Sequence, residues 1–177
     1  PVYALKGGTA INFFHSNMPR LSVDIDLAYT KIDTRDEFLN ENDQFFKQLA
    51  TELPKRHGCL VQPLKTQDFI SKGALVSEGD TSIKVEANLV IRGTVYTPVL
   101  AESCSKIEID FGLKLKLLTL SLEDLFAGKF CAALDRQHPR DLFDVMMFFK
   151  THDLTESLKK AFLVYLVSGN RPIAELI

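Results

Sequence analysis

Two aspartates separated by one residue, Asp24 and Asp26, are the side chains of this sequence best suited to metal chemistry. Residues 21–29 alternate apolar and polar side chains, which predicts a half-buried strand with both carboxylates on one face. Leu21 and Val23 belong to the apolar set and should face the core. Neighbouring carboxylates repel unless a proton or cation separates them, and Mg²⁺ prefers carboxylate ligands. The pair predicts a magnesium site, although two exposed carboxylates without function would give the same pattern.

A glycine pair followed by a hydroxyl residue, Gly7-Gly8-Thr9, lies a short distance before the aspartates. The apolar run 2–5 predicts a strand before it, and residues 10–14 predict a short helix that Thr9 would cap. Glycines let backbone N–H groups approach a phosphate, and a helix N-terminus favours anions. An ordinary strand-to-helix turn has the same composition, but a metal–triphosphate ligand would need this turn and the aspartates together.

A third carboxylate is available on a second alternating segment, residues 81–91, where Glu86 lies on the polar face. If this strand neighbours the aspartate strand, the three carboxylates could hold two metal ions. Glu108 and Asp110 form a competing pair of carboxylates. They could instead be charges that keep an edge strand from pairing with another chain.

Two charged residues in the C-terminal part of the chain are candidates for a phosphate-binding site. Lys129 falls in the apolar stripe of a helix that begins after Ser121, where an ammonium group is costly unless it meets an anion or snorkels to solvent. Asp141 lies near the start of the next helix, where a carboxylate favours the helix dipole. It could instead orient Lys129 in a cleft.

The remaining pattern predicts an α+β protein, with a mixed sheet in residues 1–120 and a helical region in residues 121–177. We expect residues 54–58 to form a turn. The other segments expected are strands at 59–64, 69–76, 95–100 and 107–111 and helices at 34–53, 121–136, 140–150 and 154–167.

Composition narrows the class of protein. The 21 Lys and Arg residues against 23 Asp and Glu give a net charge of −2, so the chain lacks an overall basic field for nucleic acid. Three cysteines without C-x-x-C spacing indicate free thiols in a reducing compartment, and the four histidines lack zinc spacing. No apolar stretch is long enough to span a membrane, and no signal peptide is recognisable. We therefore expect a cytoplasmic protein without a membrane partner.

Several segments, in order, resemble the AbiEii/AbiGii toxin family of nucleotidyltransferases, which belongs to the polymerase-β-like superfamily. The resemblance covers about residues 5 to 150. Each segment is a weak signal alone, but their order is specific. The segments are LKGGTAIN at 5–12, RLSVDIDL at 20–27, IKVEAN at 83–88, LEDLFAGK at 122–129 and RQHPRDLFD at 136–144.

The resemblance implies a nucleotidyltransferase fold, Mg²⁺ as cofactor and a nucleoside triphosphate as substrate. It implies transfer of a nucleoside monophosphate to an acceptor hydroxyl, with RNA such as tRNA as the acceptor and a cognate antitoxin as partner in a type IV toxin–antitoxin or phage-defence system. It favours Glu86 as the third carboxylate. By position it assigns metal binding to Asp24, Asp26 and Glu86, catalysis to these three with Lys129 and Asp141, and nucleotide binding to Gly7, Gly8, Thr9, Ser22 and Lys129.

Two other functions fit part of the pattern. A glycosyltransferase would use the D-x-D for a nucleotide-sugar metal, but too little chain precedes Asp24 for the alternating strands and helices it needs. A non-catalytic nucleotide-binding or antitoxin-binding module with a degenerate site would bind triphosphate without turnover.

Overall fold

A single mixed sheet of seven strands organises the computed structural model, which describes residues 2–176. The strands follow one another across the sheet in the order β3-β4-β5-β2-β1-β7-β6. Neighbours are antiparallel except in the parallel pairs β1–β7 and β2–β5. The strands are β1 (Tyr3–Lys6), β2 (Ile25–Tyr29), β3 (Leu60–Lys65), β4 (Ser71–Glu78), β5 (Thr81–Arg92), β6 (Val99–Glu102) and β7 (Lys116–Thr119).

Six α-helices accompany the sheet in the described residues, and the last three follow all of its strands. The α+β class, with a mixed sheet followed by a helical region, is therefore confirmed. None of the helices in residues 2–176 is long and apolar enough to cross a membrane. The helices are α1 (Gly7–Ala10), which continues as a π-helix (Ile11–His15), α2 (Arg35–His57), α3 (Ser105–Phe111), α4 (Leu122–Arg136), α5 (Pro139–Thr151) and α6 (Glu156–Ser168).

The three central strands bring distant parts of the sequence side by side. Strand β2 lies between β1 and β5, so that Asp26 pairs with Lys6 on one side and with Glu86 on the other. Residues directly opposite each other on adjacent strands share a face of the sheet. The side chains of Lys6, Asp26 and Glu86 therefore form one row across three strands.

One hydrophobic core joins the central sheet to the C-terminal helices. Ala4 and Leu5 of β1 pack in the same buried cluster as Phe126 of α4, Phe148 of α5 and Tyr165 of α6. A second cluster, which contains Phe46, fills the space between α2 and strands β4 and β5. The helical region after residue 121 is thus packed on the strands that carry the row.

The strand predicted for residues 21–29 begins only at Ile25, and its first half was predicted wrongly. Leu21 and Val23 are 66% and 67% exposed instead of facing the core. The reason is that β1 turns into helix α1 at Gly7, so β1 offers no strand partner to the residues before Asp26. Asp24 consequently lies in the loop just before β2.

Two helix boundaries also differ from the prediction. Helix α1 begins at Gly7 with Lys6 as its N-cap, so Thr9 does not cap it. The turn predicted at residues 54–58 belongs to α2, which contains Pro54 in its last turns and ends at Gly58 in a left-handed conformation. The Pro54 carbonyl accepts a hydrogen bond from the Gly58 N–H at 2.8 Å, which closes the last turn of the helix.

The strand predicted at residues 107–111 is helix α3, and strand β7 after it was not predicted. Ile107 is buried while Ile109 is 80% exposed, so the alternation of apolar residues there is not that of a strand. The strand predicted at residues 95–100 starts only at Val99. The backbone N–H groups of Val95 and Tyr96 donate to the Asp124 carboxylate instead of to a neighbouring strand.

Candidate active site

The row across the central strands places the Lys6 ammonium group beside the carboxylates of Asp26 and Glu86, so that the charges of Lys6 and Glu86 shift the pKa of Asp26. Burial raises the pKa of Asp26, and the charges of Asp24 and Glu86 raise it further, while the Lys6 ammonium opposes them. Burial likewise lowers the pKa of Lys6, which the Asp26 carboxylate opposes. Asp26 thus lies at the centre of a group of three carboxylates whose mutual repulsion a cation would relieve.

Asp24 is held beside this row by the short helix after β1. The Thr9 hydroxyl donates a hydrogen bond of 2.5 Å to the backbone carbonyl of Asp24. Thr9 is buried, and this bond uses its one hydroxyl hydrogen. In this arrangement the Thr9 side chain positions the Asp24 loop.

The glycine turn packs directly against the acidic residues. Gly7 has a φ of +71°, and a Cβ added there would lie 2.3 Å from an Asp26 carboxylate oxygen. A Cβ added at Gly8 would lie 2.6 Å from the Ser22 hydroxyl oxygen and 2.8 Å from an Arg20 nitrogen. The turn therefore needs glycine both for its backbone conformation and for close approach to Asp26.

Replacing Gly7 by alanine should disturb the site more than the fold. We expect Gly7→Ala to strain a left-handed residue by about 1–3 kcal/mol and in addition to displace the Asp26 carboxylate. Gly58→Ala is the matched control, because Gly58 has a φ of +68° but no atom within 4 Å of the added Cβ. Thermal unfolding and a transfer assay on both variants check this. Equal losses of activity in the two variants would contradict the role assigned to the Gly7 contact.

Lys129 faces this group from α4 and is buried between two aspartates of α5. Its Nζ atom lies 2.7 Å from Asp141 Oδ1 and 3.1 Å from Asp144 Oδ2. Its side chain is 7% exposed, so the alternative of a lysine that snorkels to solvent is wrong. Burial acts to raise the pKa of Asp141, but hydrogen bonds from Arg136 and Lys129 outweigh it and lower that pKa. The sequence left two roles open for Asp141, an interaction with the helix dipole or the orientation of Lys129. The structure shows the contact with Lys129 that the second role requires.

Two arginines extend the pair into a chain of charges that was not predicted from the sequence. Arg20 donates to both Asp144 oxygens at 2.8 and 2.6 Å, and Arg136 donates to Asp141 at 2.6 and 3.2 Å. We call the five residues Arg20, Asp144, Lys129, Asp141 and Arg136 the ionic chain. The spacing of Asp141 and Asp144 was a usable signal, because residues three apart lie on one face of a helix. Arg20 lies in a loop and gave no such signal.

Glu86 is partly engaged by lysines. Lys84 Nζ lies 2.8 Å and Lys72 Nζ 3.4 Å from its carboxylate oxygens. Burial acts to raise the pKa of Glu86, and these two ammonium groups outweigh it and lower that pKa. In the described residues, no three His, Cys, Asp or Glu side chains meet closely enough to hold a metal ion. Asp24 and Asp26 offer the carboxylate oxygens that suit Mg²⁺, and Glu86 pairs with Asp26 in the same row.

The competing carboxylates, Glu108 and Asp110, lie on helix α3 and do not reach the site. Asp110 forms an ion pair of 2.8 Å with Lys106 on the same helix. Neither residue lines the cavity that the other candidate residues share.

A cavity of about 930 Å³ lies between the row of Lys6, Asp26 and Glu86 and the ionic chain. Every residue predicted for the site lines it, with the exception of Thr9. A smaller cavity of about 260 Å³ adjoins it and shares Lys6, Asp26, Glu86 and Asn88. The structure thus brings together residues from five separate segments around one space large enough for a nucleotide.

Asp124 holds the wall of this cavity together. Its buried carboxylate accepts hydrogen bonds from the backbone of Val95 and Tyr96, from the Ser121 hydroxyl and from the Tyr165 hydroxyl. Ser121 caps α4, because its hydroxyl accepts a hydrogen bond of 3.1 Å from the Asp124 N–H. One side chain therefore fixes α4, α6 and the segment after β5.

Comparison with known proteins agrees with this geometry. The model of one protein family, described as nucleotidyl transferase AbiEii toxin, type IV TA system, matches residues 1–177. The chain belongs to this family. The resemblance seen in the sequence is thereby confirmed. No curated protein matches the chain by sequence.

A solved structure shows the same fold as this AbiEii-family chain. It is MenT4, nucleotidyltransferase toxin Rv2826c from Mycobacterium tuberculosis H37Rv, with a TM-score of 0.66 and 18% sequence identity. The alignment covers 92% of this chain and 55% of the MenT4 chain, so the present chain spans about half of the length of that structure.

Proposed function

We propose that this chain transfers a nucleoside monophosphate from a nucleoside triphosphate to an acceptor hydroxyl, with RNA, tRNA included, as the acceptor. The new bond joins the acceptor oxygen to the α-phosphorus. The bond from the α-phosphorus to the oxygen that bridges to the β-phosphate breaks, and pyrophosphate leaves with that oxygen. The proton of the acceptor hydroxyl passes to solvent water. The observation that carries the proposal is the single cavity in which the three carboxylates, the glycine turn and Lys129 face one another.

The triphosphate fits the side of the cavity formed by the glycine turn and the ionic chain. Backbone N–H groups at Gly7 and Gly8 and the Ser22 hydroxyl can donate to phosphate oxygens. The ionic chain contains three cations and two carboxylates and therefore keeps a positive charge. Fixed positive charge in a partly buried cleft offsets the negative charge that develops on the leaving phosphates.

Asp141 and Glu86 would act on different partners. Asp141 holds the Lys129 ammonium at 2.7 Å and so positions it toward the cavity. Glu86 is held ionised by its lysines, which makes it a weak base but a good hydrogen-bond acceptor for the acceptor hydroxyl. We assign orientation of that hydroxyl to Glu86.

A magnesium ion is implied by the family and fits the carboxylates of Asp24 and Asp26, with Glu86 as the third ligand. When bound, Mg²⁺ would neutralise charge on the phosphate groups and lower the pKa of the attacking hydroxyl. Burial raises the pKa of Asp26, and the charges of Asp24 and Glu86 add to that rise, which supports a cation between these carboxylates.

Incubation with each of four radiolabelled nucleoside triphosphates and total cellular RNA tests the proposed activity. We expect label in RNA with one or a few of the triphosphates, and we expect EDTA to abolish it and added Mg²⁺ to restore it. Label that persists in EDTA would overturn the metal dependence. Absence of label from all RNA under every condition would overturn the transfer reaction.

The alternative is a non-catalytic module that binds nucleotide or an antitoxin. Calorimetric titration with the triphosphates, with and without Mg²⁺, separates it from the enzyme. Tight binding without turnover on any RNA would favour the module. In either case the family description as a type IV toxin supports a cognate antitoxin as partner.

A further inference from the structure

The smaller cavity lies across the row of Lys6, Asp26 and Glu86 from the glycine turn. Because β1 runs antiparallel to β2 and β5, the turn that follows Lys6 lies on one side of this row, whereas Leu27 and Ala87, which line the smaller cavity, follow Asp26 and Glu86 on the other side. The glycine turn and the basic residues opposite it line only the larger cavity; these residues are Gly7, Gly8, Lys129 and Arg136. Asp26 and Glu86 line both cavities and therefore stand at their junction.

The geometry of the proposed transfer determines the side from which the acceptor must approach. In phosphoryl-type transfer the attacking and leaving oxygens lie roughly in line on opposite sides of the reacting phosphorus. If the triphosphate tail occupies the side of the glycine turn, the attacking hydroxyl must approach from the other side of Asp26 and Glu86. The smaller cavity opens there.

The lining of the smaller cavity suits a nucleoside that carries one phosphate. Glu86, Asn88 and Lys72 line it together with the strand segments of Leu27, Ala87 and Leu89. Asn88 uses its side-chain oxygen on the backbone N–H groups of Val90 and Ile91, which leaves its amide hydrogens without a partner in residues 2–176. A volume of about 260 Å³ lies near the lower end of the range for small-molecule sites and suits a single nucleoside.

Lys72 supplies the only cation on this side that does not also line the larger cavity, among the described residues. Its side chain is 46% exposed, and its ion pair with Glu86 is long, at 3.4 Å. Glu86 keeps its shorter contact of 2.8 Å with Lys84 when Lys72 moves away. Lys72 is therefore free to meet a phosphate without leaving Glu86 unpaired.

We propose that the smaller cavity is the acceptor subsite, which receives the single-stranded terminal nucleoside of a polynucleotide whose adjacent backbone phosphate binds Lys72. This inference rests on the proposed nucleotidyl transfer. It makes Lys72 a positioning residue for the acceptor and predicts that it has no part in binding the triphosphate.

Fluorescence anisotropy with a labelled random-sequence octaribonucleotide tests the subsite directly. We expect Lys72→Ala to weaken binding about tenfold, the loss of one charge-assisted contact. The slope of log K against log salt concentration should become less negative by about 0.7, the value for one phosphate contact of a single strand. Lys72→Arg should retain wild-type binding, and Lys65→Ala, an exposed lysine on the neighbouring strand β3, serves as the control.

Calorimetric titration of the triphosphate separates the two parts of the site. Unchanged triphosphate affinity in Lys72→Ala, together with the smaller salt slope, supports the acceptor subsite. Equal octaribonucleotide binding and slope in wild type and Lys72→Ala overturn it, as does wild type that binds no octaribonucleotide. RNA labelling by the wild-type protein alongside either result shows that the transfer activity stands and that only the location of the acceptor is wrong.

Discussion

Asp26→Asn should reduce nucleotide transfer on the order of a thousandfold, the scale seen when one fixed electrostatic contact of a catalytic site is removed. Asp26 pairs with both Lys6 and Glu86 and lies against Gly7, so no other carboxylate can take its place. The amide has the same shape as the carboxylate, and burial already disfavours the charged form of Asp26. We therefore expect the circular dichroism spectrum and thermal midpoint to remain close to those of the wild type.

Asp110→Asn provides the matched control, because Asp110 belongs to the competing carboxylate pair and lies on helix α3 outside the cavity. It makes the same chemical change at an exposed ion pair with Lys106. RNA labelling by Asp110→Asn should equal that of the wild type. If Asp26→Asn retained wild-type labelling, the assignment of the reaction to this cavity would fail.

Asp144→Asn should produce the largest loss of stability among substitutions in the ionic chain. The Asp144 side chain is 1% exposed and contacts Arg20 at 2.6 Å and Lys129 at 3.1 Å. Removing one partner of a buried ion pair leaves the other charge uncompensated, which costs about 3–5 kcal/mol. We expect a decrease of that size in the free energy of unfolding, measured by urea denaturation with an unchanged m-value.

The surface pair of Asp135 and Arg171 gives the comparison for this experiment. Their side chains are 45% and 50% exposed and lie 2.9 Å apart. Asp135→Asn should change the free energy of unfolding by less than about 1 kcal/mol, because solvent screens exposed ion pairs. Similar losses in Asp135→Asn and Asp144→Asn would show that burial of the ionic chain contributes nothing.

The acidic part of the site could be predicted because its residues lie on strongly periodic segments. Strand β5 alternates polar and apolar residues from Ser82 to Leu89, and this placed Glu86 on a polar face. Asp26 was correctly assigned to a strand, although Asp24 was not, because the strand partner that β1 would offer ends at Lys6. Local alternation predicts which face a side chain takes, but it does not reveal where a neighbouring strand stops.

The basic part of the site was only partly predictable, because its contacts join distant segments. Lys129 and Asp141 were found from their positions on amphipathic helices. Arg20 lies in a loop, and Lys72 is one lysine among several on exposed strands, so neither has a periodic pattern. Helix α3 was missed because its β-branched residues favour a strand. Its first turn is held by a distant residue, since the Lys106 N–H and the Ser105 hydroxyl donate to the side-chain oxygen of Asn17.

The ionic chain also sets a time at which the protein can first become active during its synthesis. Arg20 and Asp144, which contact each other directly, are separated by 124 positions in the sequence. At about 5–20 residues per second, a ribosome adds Asp144 roughly 6–25 s after Arg20. Until then Lys129 lacks its second carboxylate and the cavity lacks one wall. The cavity of a nascent chain therefore stays incomplete for that interval after Arg20 has left the ribosome's active centre.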